Sequence, residues 1–477
     1  MTQHAAGPPA IEDGLKGPQD GLPPVSRRFV TLYVIAYLGV YVAVMTPLLV
    51  SLAMRLETID PDGKTGSLGL VVGVGTLVGM VSGLVFGVLS DNTASRLGRR
   101  KPWMLAGMPV LLAGAAVTGA GASVPVLLAG FVVGQIGLSA LMTPLVAMLP
   151  DQVPEQQRGK VSGLLGFTAQ IAGVAGFQLA TPLRHSGLLL FLVPAVIACL
   201  ALLPVVLFLP DPQVRRADRE RQGLMAMFRD LTFNPRRHPD LGWTWGGRFL
   251  IQLSLMFLST YQLYFLTDHL HYELSKVTGL LAITGGFGLL MTSAGAVVSG
   301  ILSDRLRRRK RFIYLAATAF AVGFVVIAFA SSFAQVFVGS QIILLGAGMF
   351  GAVDIALITD VIPNRETEGA KYMSVFAIAA ALPQSVAPLL APFILAVGGG
   401  DNYPLLFLSA AGVAVAGGLT VRPIRGGPLI RRHPSPGLRD RDPRTSPPQA
   451  PLTATPEDAP PGTHQNRVVF GFVLRST

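Results

Sequence analysis

Asp354, in the run Gly351-Ala-Val-Asp354-Ile-Ala, stands well inside a long apolar stretch, and Arg248 lies at a similar depth inside another. A charge held in hydrocarbon is costly, so such a residue is read first as functional and only then as structural. If the two segments are neighbours, Asp354 and Arg248 can pair. A carboxylate that alternates between water and a guanidinium would bind a coupling cation, most simply a proton, unequally in two states, and that inequality is what coupling requires. The competing readings are a purely structural pair and a carboxylate that reaches interfacial water and only caps local structure.

Further polar side chains recur at helical spacing within apolar runs. Tyr33, Tyr37 and Tyr41 fall on one face, as do Gln135, Ser139 and Thr143, while Gln252, Tyr261, Gln262 and Tyr264 share a third run. Hydroxyls, amides and aromatic faces are what a small-molecule site needs. The tyrosines suit packing or an interfacial belt equally well.

Residues for covalent chemistry are not assembled. His4, His185, His238, His269, His271, His433 and His464 lie in tails or loops, and no Ser/His/Asp set shares an apolar pocket. Cys199 is the single cysteine, so neither an internal disulfide nor a zinc set is expected. Glycine-rich stretches lie within hydrophobic runs rather than at strand-to-helix turns, so no phosphate cradle is implied. The reading is of a non-enzyme with no catalytic residues, cofactor or metal.

The elements that would position these residues follow from composition. Of 477 residues, 51% are hydrophobic and 13% charged, about half the charge of a soluble domain. The net charge of +12 is confined to short segments between apolar runs, which suits anionic lipid rather than nucleic acid. Apolar runs long enough to span a bilayer occur at 29–53, 68–90, 103–121, 124–148, 161–183 and 187–209, then at 244–267, 277–302, 312–330, 333–359, 371–397 and 402–421. The fold class expected is therefore an all-α membrane protein of about twelve transmembrane helices in two pseudo-symmetric six-helix bundles.

Domains follow the same division. Residues 1–28 form an N-terminal tail, 29–209 one bundle, 210–243 a central loop, 244–421 the second bundle and 422–477 a disordered tail. The first 28 residues hold no apolar h-region, so no cleavable signal peptide is expected. Leu224, Met225, Met227, Phe228 and Leu231 of the central loop fit either an interfacial helix or a plain linker. Basic residues crowd one set of loops, with Arg96, Arg99, Arg100 and Lys101 after the second run and Arg305, Arg307, Arg308, Arg309, Lys310 and Arg311 after the eighth. The opposite loops carry only Arg55, Lys64, Arg184 and Lys276. This asymmetry places both termini and the central loop in the cytoplasm of a multi-pass cell-membrane protein.

The halves repeat. Gly87-Val-Leu-Ser-Asp91 ends the second run and Gly300-Ile-Leu-Ser-Asp304 the eighth, each with a basic follower; Asp151-Gln-Val-Pro154 and Asp360-Val-Ile-Pro363 follow the fourth and tenth. On these paired signatures the chain resembles the major facilitator superfamily. The resemblance implies bundles that rock about a central cavity lined by helices 1, 4, 7 and 10. It also implies a gating role for Gly87, Asp91, Arg96, Gly98, Arg99, Arg100, Gly300, Asp304, Arg305 and Arg308, the carboxylates facing basic residues and a neighbouring helix N-terminus.

Arg307 stands where the family pattern has glycine. The first copy carries four extra residues in Asp91-Asn-Thr-Ala-Ser-Arg96-Leu-Gly98-Arg-Arg-Lys101-Pro-Trp103 and looks like the glycoside–pentoside–hexuronide and sucrose-type sugar:cation symporters. Those symporters of the melibiose type hold their cation on carboxylates of the first six helices, whose interiors here contain no Asp or Glu. Sugar:cation symport, drug or metabolite efflux by proton antiport, and a non-transporting sensor or scaffold with the same fold therefore all stand. The partners implied are a small solute, a proton or sodium ion and the bilayer, with the chain acting as a monomer.

Overall fold

The computed structural model describes residues 23–211, 236, 238–306, 308–362, 365–399 and 401–424, with the backbone alone for 365–370. Most of both tails, the central loop with Leu224 to Leu231, and Arg307 lie outside the described residues.

The described residues fold into helices throughout, as apolar runs in hydrocarbon must, since only a helix satisfies its own backbone there. The first half comprises α1 (Arg27–Ile59), α2 (Lys64–Asn92), α3 (Lys101–Ala120), α4 (Val124–Gln152), α5 (Glu155–Leu183) and α6 (Gly187–Phe208). The second comprises α7 (Pro239–His269), α8 (Leu274–Leu306), α9 (Arg309–Ala328), α10 (Phe333–Val361), α11 in two segments (Arg365–Ala381 and Pro383–Leu395) and α12 (Tyr403–Leu419). Several helices exceed their apolar runs: α5 begins at Glu155 rather than 161, and α7 at Pro239 rather than 244. Polar residues extend these helices past the hydrocarbon, where water and headgroups solvate them.

The first helix of each half carries a π-helical turn, Pro47–Ser51 in α1 and Phe265–His269 in α7. In α1 the cause is local: Pro47 has no N–H to give and its ring displaces the preceding turn. Such turns concentrate at functional sites.

Glycines set the packing within each half. Gly75, Gly79, Gly83 and Gly87 turn one face of α2 onto α4. A Cβ at Gly75 would lie 2.3 Å from the Phe131 ring, and one at Gly79 3.0 Å from Gln135 Oε1. The hydroxyl of Ser139 donates to the Gly79 carbonyl at 2.9 Å and that of Thr143 to the Gly83 carbonyl at 3.4 Å. The second half repeats this with α8 on α10: a Cβ at Gly295 would meet the Leu345 carbonyl at 2.3 Å, and Thr292 donates to the Leu344 carbonyl at 3.1 Å.

The halves meet at the ends remote from the termini, here called outer. There α5 packs on α8, and α2 on the outer segment of α11. A Cβ at Gly69 would come within 2.2 Å of the Pro388 carbonyl. Both segments of α11 pack on α7. Toward the terminal side, Gly159, Gly163 and Gly166 of α5 have open space where a Cβ would sit.

Candidate functional site

On the terminal side of the first half, Arg100 is the hub. Its guanidinium, 5% exposed, reaches Asp91 at 2.7 Å, Asp151 at 2.9 Å and the Ser90 hydroxyl at 2.7 Å, and Arg99 also pairs with Asp151. The end of α2 and the end of α4 are thus tied through the start of α3. Asp211, after α6, accepts from the backbone N–H groups of Arg100 at 2.6 Å and Lys101 at 3.0 Å. It caps the N-terminus of α3, where a carboxylate is favoured. Gly98 has φ +99°, and a Cβ there would also strike Asp211 at 2.3 Å. The carboxylate at a helix N-terminus is therefore Asp211, whereas Asp91 is half exposed and faces Arg100.

The second copy is built differently from its sequence signature. Arg309 pairs with Asp360 and also donates to the Ala356 carbonyl. By the offset that relates Asp151 to Asp360, Arg309 is the counterpart of Arg100. Arg308 occupies the N-cap of α9, and Arg305 is exposed. Asp304 makes no ion pair among the described residues. Gly300 lies over α10, with Ala352 3.9 Å from where its Cβ would be.

Arg248 of α7 and Asp354 of α10 do pair, with Asp354 only 4% exposed. By the same offset Leu145 is the counterpart of Asp354, and its carbonyl accepts from the Tyr33 hydroxyl at 2.7 Å. One half thus joins its first and fourth helices by a neutral hydrogen bond, and the other by a buried ion pair. The Nε of Arg248 is buried without a hydrogen-bond partner.

At the outer ends a third cluster crosses between the halves. Lys64 of α2 reaches Asp268 of α7 at 2.8 Å and Glu57 of its own half at 2.7 Å, and its ammonium lies 5.1 Å over the Tyr264 ring. Asp268 also accepts from the Tyr403 hydroxyl at 3.1 Å. Tyr264 donates to the Ala53 carbonyl at 2.9 Å, and Tyr261 contacts the carbonyls of Thr65 at 3.2 Å and Pro388 at 3.1 Å. Thr181 donates to Thr278 at 2.8 Å between α5 and α8. These contacts close the outer side.

Beneath this closure lie two cavities with volumes of about 350 Å³ and 170 Å³ that share Leu49, Met256 and Ser259 as walls. The larger takes side chains from α1, α5, α7, α8 and α10, among them Gln170, Phe177, Gln262, Thr284 and Ser340. The smaller adds Thr76 of α2 and Gln384 of α11. Gln262 reaches Ser340 only at 3.4 Å.

Of the residues expected to line a cavity, Gln262 alone is found here, in the wall of the larger one. Tyr33 and Tyr37 are buried in the core and stack edge to face at 5.1 Å, with Tyr41 following at 6.0 Å. Tyr261 and Tyr264 belong to the outer closure. Helix α4 contributes nothing to the two cavities, because Ser139 and Thr143 are committed to α2; Gln135 lines a small void inside the first half. Gln252 is half-buried on α7. Sequence reasoning missed Asp211, Arg309, Gln170, Gln384 and the Lys64–Asp268 pair. Arg309 was recoverable from the repeat offset. Nothing in the sequence joins Lys64 to Asp268.

A sequence model of the Major Facilitator Superfamily matches residues 29–296 and 277–459. The chain is 28% identical over 166 residues to the "Acurin A biosynthesis cluster MFS-type transporter" of Aspergillus aculeatus, a stretch spanning 35% of the chain and 29% of that relative. Among solved structures it is similar to the nucleoside transporter NupG (11% identity, TM-score 0.68, 83% of this chain and 100% of that one). It is also similar to a D-xylose-proton symporter (15%, 0.63, 84% and 98%). A third is a bacterial homologue of the human lysosomal transporter Spinster, in an inward-facing and unoccupied conformation (13%, 0.63, 83% and 96%). At these identities the structural likeness speaks for the fold.

Proposed function

The chain belongs to the Major Facilitator Superfamily and is a multi-pass transporter of a small solute rather than an enzyme, and from that premise we propose proton-coupled secondary transport by alternating access across the cell membrane. The observation that carries this reading is the chamber between the halves, closed at its outer end by Lys64–Asp268, Tyr261 and Tyr264. With both termini in the cytoplasm, as the loop charges direct, this is the inward-facing state.

Asp354 is the coupling residue in this reading. It is a buried carboxylate on a helix that lines the chamber, held by Arg248 in one state and available to a proton in another. The Arg100 and Arg309 clusters hold the terminal ends of each half together while the halves rock as bodies.

Sugar:cation symport is the second reading, favoured by the long loop after α2. Its extra residues are folded in place, with Trp103 donating to Thr93 at 2.8 Å and packing on Phe86 at 5.5 Å. Efflux by proton antiport is favoured by the lack of acidic residues inside the first six helices.

The test is flux in proteoliposomes carrying an imposed proton gradient, with D-xylose and neutral aromatic amides as solutes and an internal pH dye as the second readout. Solute accumulation with matched proton movement is expected. Proton-independent flux removes the coupling, and absence of flux for every solute points to the sensor or scaffold.

A further inference from the structure

We propose that the chamber is built for an uncharged, largely apolar solute whose few polar groups are read by the carboxamides of Gln170, Gln262 and Gln384; this rests on the transporter reading and names its substrate class. No side chain lining either cavity carries a formal charge. An organic ion leaving water for such a site would meet no counter-charge, and an uncompensated buried ion is strongly disfavoured.

Three of the six lining hydroxyls are spent on the protein itself. Thr284 donates to the Leu280 carbonyl at 2.9 Å, Thr292 to the Leu344 carbonyl at 3.1 Å, and Thr76 to the Val72 carbonyl at 2.7 Å. Each thus has its proton committed. The polar capacity left for a solute resides in three amides and in the hydroxyls of Ser340 and Thr260. The Gln170 and Gln384 side chains make no hydrogen bond among the described residues, and Gln262 makes only the long one to Ser340. A carboxamide offers both donor and acceptor, so it suits carbonyl, hydroxyl or amide groups without demanding charge.

A monosaccharide brings four or five hydroxyls, each donor and acceptor, and every one buried without a partner is penalised. Three amides and two hydroxyls, spread over α5, α7, α10 and α11 between walls such as Leu49, Phe177 and Ile343, do not surround a sugar ring closely enough to meet them all. Met256, at the junction of the two cavities, is an unbranched and adaptable wall for aromatic or irregular shapes. The amides come from both halves, so a solute bound to Gln170 and Gln262 together touches both moving bodies.

The experiment uses the full chain in nanodiscs and four probes: 2-naphthamide, 2-naphthoate, 2-naphthamidine as its cation, and D-xylose. The first three share shape and differ in charge. Equilibrium binding should favour 2-naphthamide at least tenfold over each of the others. Gln262→Leu and Gln170→Leu should each weaken it several-fold, and Gln262→Glu should move the preference to the amidinium. Failure of 2-naphthamide to bind, or equal or tighter binding of the ions or of D-xylose, overturns the substrate class and leaves the transport reading standing. Selective 2-naphthamide binding without any flux in proteoliposomes does the reverse.

Discussion

Asp268→Asn removes the carboxylate that ties α7 to α2 across the two halves. Both partners are well buried, with side-chain exposures of 15% for Lys64 and 16% for Asp268, so solvent screens the pair only in part. Lys64 keeps Glu57 at 2.7 Å in the variant, so no buried charge is orphaned. The Tyr403–Asp268 hydrogen bond lies within one half and persists in both states, so it cancels from the comparison. What remains is one charge-assisted hydrogen bond present only when the outer side is closed, worth about 1.5–3 kcal/mol. The ratio of outer-closed to outer-open molecules should therefore fall about 10- to 150-fold.

The assay is reaction of Ser259→Cys, in a Cys199→Ser background, with an impermeant maleimide applied to the outer face. Ser259 lines both cavities, so its reaction rate reports opening. The rate should rise by up to the factor above, the whole of it where the closed form stays in excess. Glu57→Gln should act in the opposite direction, since Lys64 then has a carboxylate partner only in the closed state. A rate unchanged by Asp268→Asn in properly folded protein would refute the latch, as would equal increases in both variants.

Asp354→Asn should abolish gradient-driven accumulation while leaving solute exchange intact; loss of both, matched by Arg248→Gln, would make the pair structural. Gly75→Leu should lower the thermal midpoint of the purified protein, since overpacking against the Phe131 ring costs about 1–3 kcal/mol. Gly159→Leu, with open space at its Cβ, should leave the midpoint unchanged. Asp91→Asn should fold normally, losing less than about 1 kcal/mol because the carboxylate is half exposed, yet slow turnover; unchanged turnover would remove Asp91 from the gate.

The helices, their number and the repeat were legible because hydrocarbon imposes one rule on every span: a long apolar run with an internally bonded backbone. The Asp151/Asp360 offset marked the repeat without the clamping role of those carboxylates, and applied to Arg100 it would have identified Arg309 directly. The faces of the helices were not legible in the same way. A soluble helix turns its polar stripe to water, but these helices are apolar all round, so spacing alone does not say whether a polar side chain meets solute, lipid or a neighbour. Thus Tyr33, Tyr37 and Tyr41 lie on one face as expected, yet that face is in the core. Ser139 and Thr143 sit at cavity-like spacing but bond carbonyls that the glycines of α2 leave within reach. Lys64 and Asp268 are far apart in sequence, and only the docking of the two halves joins them.

Alternating access is tested most directly by paired distances on α5 and α8, which touch at their outer ends. In Cys199→Ser protein, spin labels at Arg184→Cys and Lys276→Cys report the outer separation, and labels at Gln156→Cys and Leu306→Cys report the terminal-side separation. Pulsed electron resonance in nanodiscs then compares the unlatched Asp268→Asn protein with its parent. A longer outer distance together with a shorter terminal-side distance is the predicted result. Distances that stay fixed, or that lengthen at both ends together, would contradict it.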